Sequence, residues 1–135
     1  MFQQRSTETL DESIRQAKRK LKNSKTFIGS FSIKSLSSLL INLKKASFIF
    51  VCRFHLIAVY ITKSTLEIFD PLGFCESLKY FNSKVISILK NLKRRRKLIC
   101  NPPLKKFSNS FVSLFIKLRD RGRSFKFILN KIRKL

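Results

Sequence analysis

Phe48-Ile-Phe-Val-Cys52, Leu56-Ile-Ala-Val-Tyr-Ile61 and Thr65-Leu-Glu-Ile-Phe69 follow one another at the centre of the chain. Each run is short, apolar and rich in β-branched and aromatic residues, the composition that suits a pleated, buried surface. The third alternates before Asp70-Pro71 and Gly73 stop it, and the four polar residues Thr62–Thr65 join the last two runs as a hairpin. On either side the apolar spacing changes from two to three or four, the helical period.

Upstream, Thr9-Leu-Asp-Glu12 has the spacing of a capping box, and Leu10, Ile14, Ala17 and Leu21 follow at helical intervals, which predicts a helix over 9–23. Its other face, with Arg15, Lys18, Arg19, Lys20 and Lys22, is a solvated cationic stripe whether or not anything binds it. Ser32 to Lys45 places Leu36, Leu39, Leu40 and Leu43 on one side and predicts a second short helix. Downstream, Leu78, Phe81, Val85, Ile86, Leu89 and Leu92 predict an amphipathic helix from Cys75 to about Leu92. It ends in Lys93-Arg-Arg-Arg-Lys97, where cations favour a helix C-terminus. Leu98-Ile-Cys100 reads as a short strand stopped by Asn101-Pro102-Pro103, and Ser108–Arg119 and Phe125–Leu135 as two helices broken at Gly122. This order predicts an α+β domain, a small mixed sheet with a central hairpin flanked by helices, and not a regular βαβ repeat. Residues 1–26 form a basic amphipathic N-terminal helix in this reading, and 27–135 the domain proper.

A chain of 135 residues can bury about two thirds of its unfolded surface. With 44% apolar residues and 14 Phe it lies outside the class that stays disordered for want of apolar surface. Uncharged stretches such as Phe27–Ile33, Ser35–Leu43 and Ala46–Cys52 fall far short of the ~18 residues needed to cross a bilayer, so no membrane partner is expected. Residues 1–26 hold Glu8, Asp11 and Glu12 among many cations and have no apolar segment, so no cleavable secretory signal is expected either.

Charge is the strongest compositional signal: 30 Lys and Arg against 7 Asp and Glu give +23. Residues 77–135 hold 18 Lys and Arg and the single acid Asp120, so that part alone carries +17. Such self-repulsion calls for a polyanion, and the run Lys93, Arg94, Arg95, Arg96 and Lys97 is the natural first contact for DNA or RNA, bound without sequence preference. Cys52, Cys75 and Cys100 are odd in number and widely spaced, with one His in the chain, which signals neither a zinc site nor a disulfide framework. No metal, cofactor or small-molecule ligand is implied, and a reducing, intracellular setting is expected.

His55-Leu-Ile-Ala-Val-Tyr-Ile-Thr-Lys-Ser-Thr-Leu-Glu-Ile-Phe-Asp70-Pro-Leu-Gly-Phe74 resembles the histidine-to-aspartate segment of the adenain-type cysteine endopeptidases. These are the adenovirus-like proteases, found also in Maverick/Polinton elements and distant kin of the SUMO proteases. Phe27-Ile-Gly-Ser-Phe31 is similar to the Phe-x-Gly-Val-Phe that precedes the histidine strand, and Arg119-Asp-Arg-Gly-Arg-Ser-Phe125 to the closing Arg-x-x-Gly-x-Ser-Phe helix. The resemblance covers about 27–129 and implies a truncated papain-like, adenain-like core in which Asp70 orients the imidazole of His55. Neighbouring antiparallel strands lie about 5 Å apart, so a His opening one strand can meet an Asp closing the next.

The family also carries a Leu-Gln for the oxyanion hole and, seven residues on, a nucleophilic Cys at a helix N-terminus. Here Leu104-Lys105 and Asn109-Ser-Phe-Val-Ser-Leu-Phe115 stand in those places, which puts Lys105 at the Gln and Val112 at the nucleophile. Counting back from Gly122 puts Ser108 there instead. A thiolate attacks where valine has nothing to deprotonate, so the expectation is a degenerate, inactive viral or transposon endopeptidase homologue. Cys75, just past the Asp loop, and Cys100, on a short strand with no base assigned to it, are the candidate replacement nucleophiles, although small buried hydrophobes are the usual fate of such cysteines. The resemblance further implies viral proteins as partners, and the Lys93–Lys97 run, read as a localisation signal, a nuclear location in a eukaryotic host. The alternative is a small basic nucleic-acid-binding protein without protease ancestry.

Overall fold

The computed structural model describes residues 2–32, 44–52, 55–73, 87, 90–91 and 93–135, with only the backbone of 2–9. Helix α1 (Phe2–Lys20) leads into strands β1 (Phe27–Phe31), β2 (Ala46–Cys52), β3 (His55–Ile61), β4 (Thr65–Phe69) and β5 (Lys97–Cys100), then helices α2 (Ser110–Asp120) and α3 (Phe125–Arg133). The strands form one mixed sheet in chain order. The β2–β3 and β3–β4 pairs are antiparallel, whereas β1–β2 and β4–β5 are parallel. The fold is α+β, a small mixed sheet built on a central hairpin and flanked by helices.

All seven residues of β3 are buried, and β2 is buried at every position but Val51. Because both faces are covered, these strands read as continuous apolar runs without alternation. One face, with Ile49, Leu56, Ala58, Tyr60 and Phe69, packs against Ala17 and Leu21 of α1, Val112, Phe115 and Ile116 of α2, and Ile128 and Ile132 of α3. Phe115 stacks on Phe69 at 5.0 Å between ring centroids and meets Phe125 edge-on at 5.2 Å. The opposite face, with Phe48, Phe50, Ile57, Val59, Ile61, Leu66 and Ile68, is buried as well. The N-terminal helix therefore shares the core of residues 27–135.

Several elements differ from the sequence expectations. Helix α1 begins at Phe2, which places Thr9 inside the helix and not at its cap; residues 2–8 contain neither Gly nor Pro to delay it. Strand β1 was not foreseen, because five residues with a central glycine carry little strand signal. Gly29, at φ 134°, accommodates the register shift between Phe27 and Ser30. The cations Lys93–Lys97 do not simply finish a helix: the chain turns at Arg94 (φ 26°), and Lys97 opens β5. Most of the helix expected from Cys75 to Leu92 lies outside the described residues, although Ser87, Lys90, Asn91 and Lys93 are helical. Residues 33–43 of the helix expected at Ser32–Lys45 also lie outside them.

The Arg119–Phe125 motif is structural throughout. Arg119 clamps Glu67 with two hydrogen bonds of 2.7 and 2.8 Å, and Thr65 donates to the same carboxylate at 2.8 Å. Asp120 accepts from Ser24 Oγ, from Thr26 Oγ1 at 2.7 Å and from the Tyr60 hydroxyl at 3.0 Å. Gly122, at φ 86°, ends α2 with the paired bonds Arg123 N to Leu118 O and Gly122 N to Arg119 O, a Schellman turn. Ser124 then caps α3 by accepting from Phe127 N at 3.1 Å, and Phe125 enters the core.

Burial and the bond to Asp120 push the Tyr60 phenol up to about 12. The folded state thus holds this proton through the range in which the unfolded chain, titrating near 10, releases it. Its stabilisation is complete below pH ~10 and is lost between pH ~10 and ~12. In urea unfolding, the advantage of the native protein over Tyr60→Phe should therefore narrow across that window. Arg119→Ala should cost about 3–5 kcal/mol, because it strands a carboxylate that is 2% exposed.

Candidate functional site

His55 opens β3, and Asp70 follows the last residue of β4, so the antiparallel pairing brings them to one end of the hairpin. His55 Nε2 lies 2.8 Å from Asp70 Oδ1, with side chains 1% and 0% exposed. Asp70 Oδ1 also accepts from Leu72 N at 2.9 Å, which shapes the Asp-Pro-Leu-Gly turn. Asn101 fixes the same loop from β5: its Oδ1 accepts from Asp70 N at 2.9 Å and its Nδ2 donates to Asp70 O at 2.7 Å. Gly73 closes the turn at φ 85°, and a Cβ there would meet Pro103 at 2.7–2.8 Å. Only glycine fits both the backbone angle and the space.

The N-terminus of α2 docks beside this pair. Asn109, at the cap position, makes no side-chain bond to its own helix. Its Oδ1 accepts from Leu56 N at 3.0 Å, tying the helix to the residue after His55. The Phe107 ring lies edge-on to the imidazole, 6.0 Å between centroids, and is itself 48% exposed.

The other residues singled out from sequence lie in several different surroundings. Val112, in the first turn of α2, is 0% exposed and belongs to the core. Ser108 puts its hydroxyl 2.7 Å from Ser110 Oγ and lines a cavity of about 330 Å³ with Ala17, Lys20 and Ser113. Lys105 is exposed on a separate groove of about 520 Å³, with Lys106, Phe111 and Arg133. The run Lys93–Lys97 lies at the start of β5, opposite Thr65, at the other end of the hairpin. Cys100 is exposed on β5, and Cys75 lies outside the described residues. Among the described residues, no three His, Cys, Asp or Glu side chains gather as metal ligands, and no helix is long and apolar enough to cross a membrane.

Sequence reading missed Asn101, Phe107 and the cross-strand role of Asn109. It also missed Cys52, which lies opposite His55 in the β2–β3 register and is buried. The last was readable in principle, since only two residues separate Cys52 from His55 and so short a spacing between antiparallel strands sets the residues on either side opposite each other.

No protein-family model and no curated protein matches the sequence. Among solved structures the fold is similar to the central domain of the uncharacterized Lpg1148 protein from Legionella pneumophila. That match has 14% identity, a TM-score of 0.51 and coverage of 81% of this chain and 77% of that one. At this identity the likeness speaks for the fold alone.

Asp70→Ala removes the acceptor shared by His55 Nε2 and Leu72 N. It should lower the unfolding free energy by about 2–4 kcal/mol, read from urea midpoints. Lys105→Gln, on the exposed loop, should stay within about 0.5 kcal/mol of the native protein in the same assay.

Proposed function

We propose that this chain is a catalytically silent relative of the adenain-type cysteine endopeptidases that binds nucleic acid, without sequence preference, through its exposed cations. The observation that carries the reading is the fate of the acids. Glu67 is clamped by Arg119, Asp70 is held by His55 and Leu72 N, and Asp120 is covered by three hydroxyls. The described carboxylates of residues 27–135 are thus held within the fold, and apart from the exposed Asp11 and Glu12 of α1 the described surface charge is that of Lys and Arg.

The protease ancestry is supported by the His55–Asp70 contact with a helix N-terminus fastened beside it, the arrangement the resemblance implies. Silence is supported by Val112, an apolar side chain in the core at the place of the thiol. A nucleophile must be reachable and must lose a proton, and this residue does neither. On this reading the protein acts inside the cell, in the nucleus of a eukaryotic host, with viral proteins as a second class of partner.

Binding to a mixed-sequence duplex should weaken by about a thousandfold or more between 50 and 200 mM salt if six or more phosphates are neutralised. Absence of binding at low salt, or binding indifferent to salt, would overturn the nucleic-acid reading. An electrophilic cysteine-protease probe should label no cysteine in a His55-dependent way. Labelling abolished by His55→Ala would overturn the assignment of silence.

A further inference from the structure

The strand pairing sends every segment that enters β1, β2, β4 and β5 to one end of the sheet. Ile61, the last residue of β3, lies opposite Ala46 of β2 and Leu66 of β4. Phe27 of β1 pairs with Ser47, and Lys97 of β5 with Thr65. Four segments distant in sequence therefore meet there: 21–26, 44–45, 62–64 and 93–97. Lys22 and Lys25 come from the first, Lys44 and Lys45 from the second and Lys63 from the third, all of them exposed. The fourth is the run Lys93–Lys97, tied to the hairpin by Arg96 Nε donating to Thr62 O at 2.9 Å and Lys97 N donating to Ser64 O at 2.8 Å.

None of the four segments contains an acid, and their one apolar residue, Leu21, is buried. The carboxylate of Asp120 does reach this end. Ser24, Thr26 and Tyr60 hold it in place, and its single negative charge is outnumbered by the five exposed lysines and the run Lys93–Lys97.

We infer that this end of the sheet is the surface that takes the phosphate backbone of nucleic acid. The inference rests on the nucleic-acid reading above and adds the place and geometry of the contact. Strand starts about 4.8 Å apart spread the cations over about 19 Å. Phosphates of one strand recur every ~3.4 Å along the duplex axis but wind around it, so a row of this length faces only part of the about five or six in that span. Backbone bonds Ser47 N to Thr26 O and Thr62 N to Thr65 O hold the segments in place, so little ordering remains to be done on binding. A lipid surface fits less well, because stable adsorption adds apolar anchors to cations and these segments expose none.

Two variants of equal charge test the surface. One carries Lys22→Gln, Lys25→Gln, Lys44→Gln, Lys45→Gln and Lys63→Gln. The other carries Lys105→Gln, Lys106→Gln, Lys131→Gln, Arg133→Gln and Lys134→Gln, around the C-terminus of α3. Each loses five charges from +23, to +18, so a general field effect would weaken both alike. With a mixed-sequence 30-bp duplex at 50 mM salt, the first should bind at least about tenfold more weakly, with a salt slope shallower by about two or more. The second should stay within about threefold of the native protein, with the native slope. Acetylation of the native protein should show Lys22, Lys25, Lys44, Lys45 and Lys63 protected by duplex and Lys131 and Lys134 not, a result independent of how the variants fold.

Equal weakening of the two variants, or protection at Lys131 and Lys134 instead, would overturn this surface while leaving nucleic-acid binding intact. No duplex binding by the native protein would overturn the parent reading and this one with it. Vesicles with 30% phosphatidylserine that bind the native protein but not the first variant, while duplex binding is unchanged in both variants, would assign the surface to lipid and overturn it.

Discussion

Strand β3 is buried along its whole length and on both faces, so every polar group it carries or touches must be answered inside the fold. Tyr60 and Glu67, cross-strand partners, meet Asp120 and Arg119, consecutive residues at the end of α2. The Arg119 guanidinium lies 4.9 Å from the Tyr60 ring centroid, and its clamp on Glu67 raises its own pKa further. At the other end of the strand His55 meets Asp70, and Leu56 N meets Asn109 at the start of α2. Helix α2 is therefore pinned to β3 at both of its ends by polar bonds and along its middle by Val112, Phe115 and Ile116. Its position is over-determined, which is what holds a buried His–Asp pair in one geometry.

How much of this could be read beforehand depends on the range of the interaction. The strands β2, β3 and β4 were legible because burial on both faces leaves apolar, β-branched runs. The His55–Asp70 approach was legible because hairpin pairing turns sequence spacing into distance. Helices α2 and α3 were legible from period and from Gly122, which ends one of them. Strand β1 was not, since its partner lies a crossover away and Gly29 lowers its propensity. The start of α1 was misplaced because a capping-box pattern also occurs inside helices, where the residues before it are good helix formers. The Asn101 and Asn109 bridges span 31 and 53 residues, and no local pattern announces a side chain that leaves its own element to bond another.

The arrangement around His55 separates orientation from reactivity. An acid that fixes a tautomer, a loop that fixes the acid and a helix end set beside the imidazole all persist in the structure. Each is also a packing device: Asn101 satisfies a buried loop, Gly73 lets Pro103 close on it, and Asn109 fastens α2. The helix position that the resemblance assigns to the nucleophile faces the core through Val112, where an apolar side chain fills space beside Phe115 and Ile116. Val112 and Lys105, at the places where the resemblance would put a thiol and a Gln, are a core side chain and an exposed lysine, and neither can supply that chemistry. The contacts around His55 are explained by stability alone, so adjacency of His55 and Asp70 is no measure of activity.

Charge follows the same division between interior and surface. Internal donors hold the described carboxylates of residues 27–135, so folding uses up acids while leaving most lysines and arginines in solvent. The folded surface is thus more uniformly cationic than the composition, and the strand pairing gathers part of that charge into one row. An unfolded chain of +23 also attracts polyanions, so nucleic acid stabilises the fold only through the difference in affinity between the two states. On the nucleic-acid reading that difference would arise from pre-arrangement: lysines from four distant segments stand side by side only when β1 to β5 are paired. The sheet that buries the histidine thus also sets the spacing of the cations at its far end.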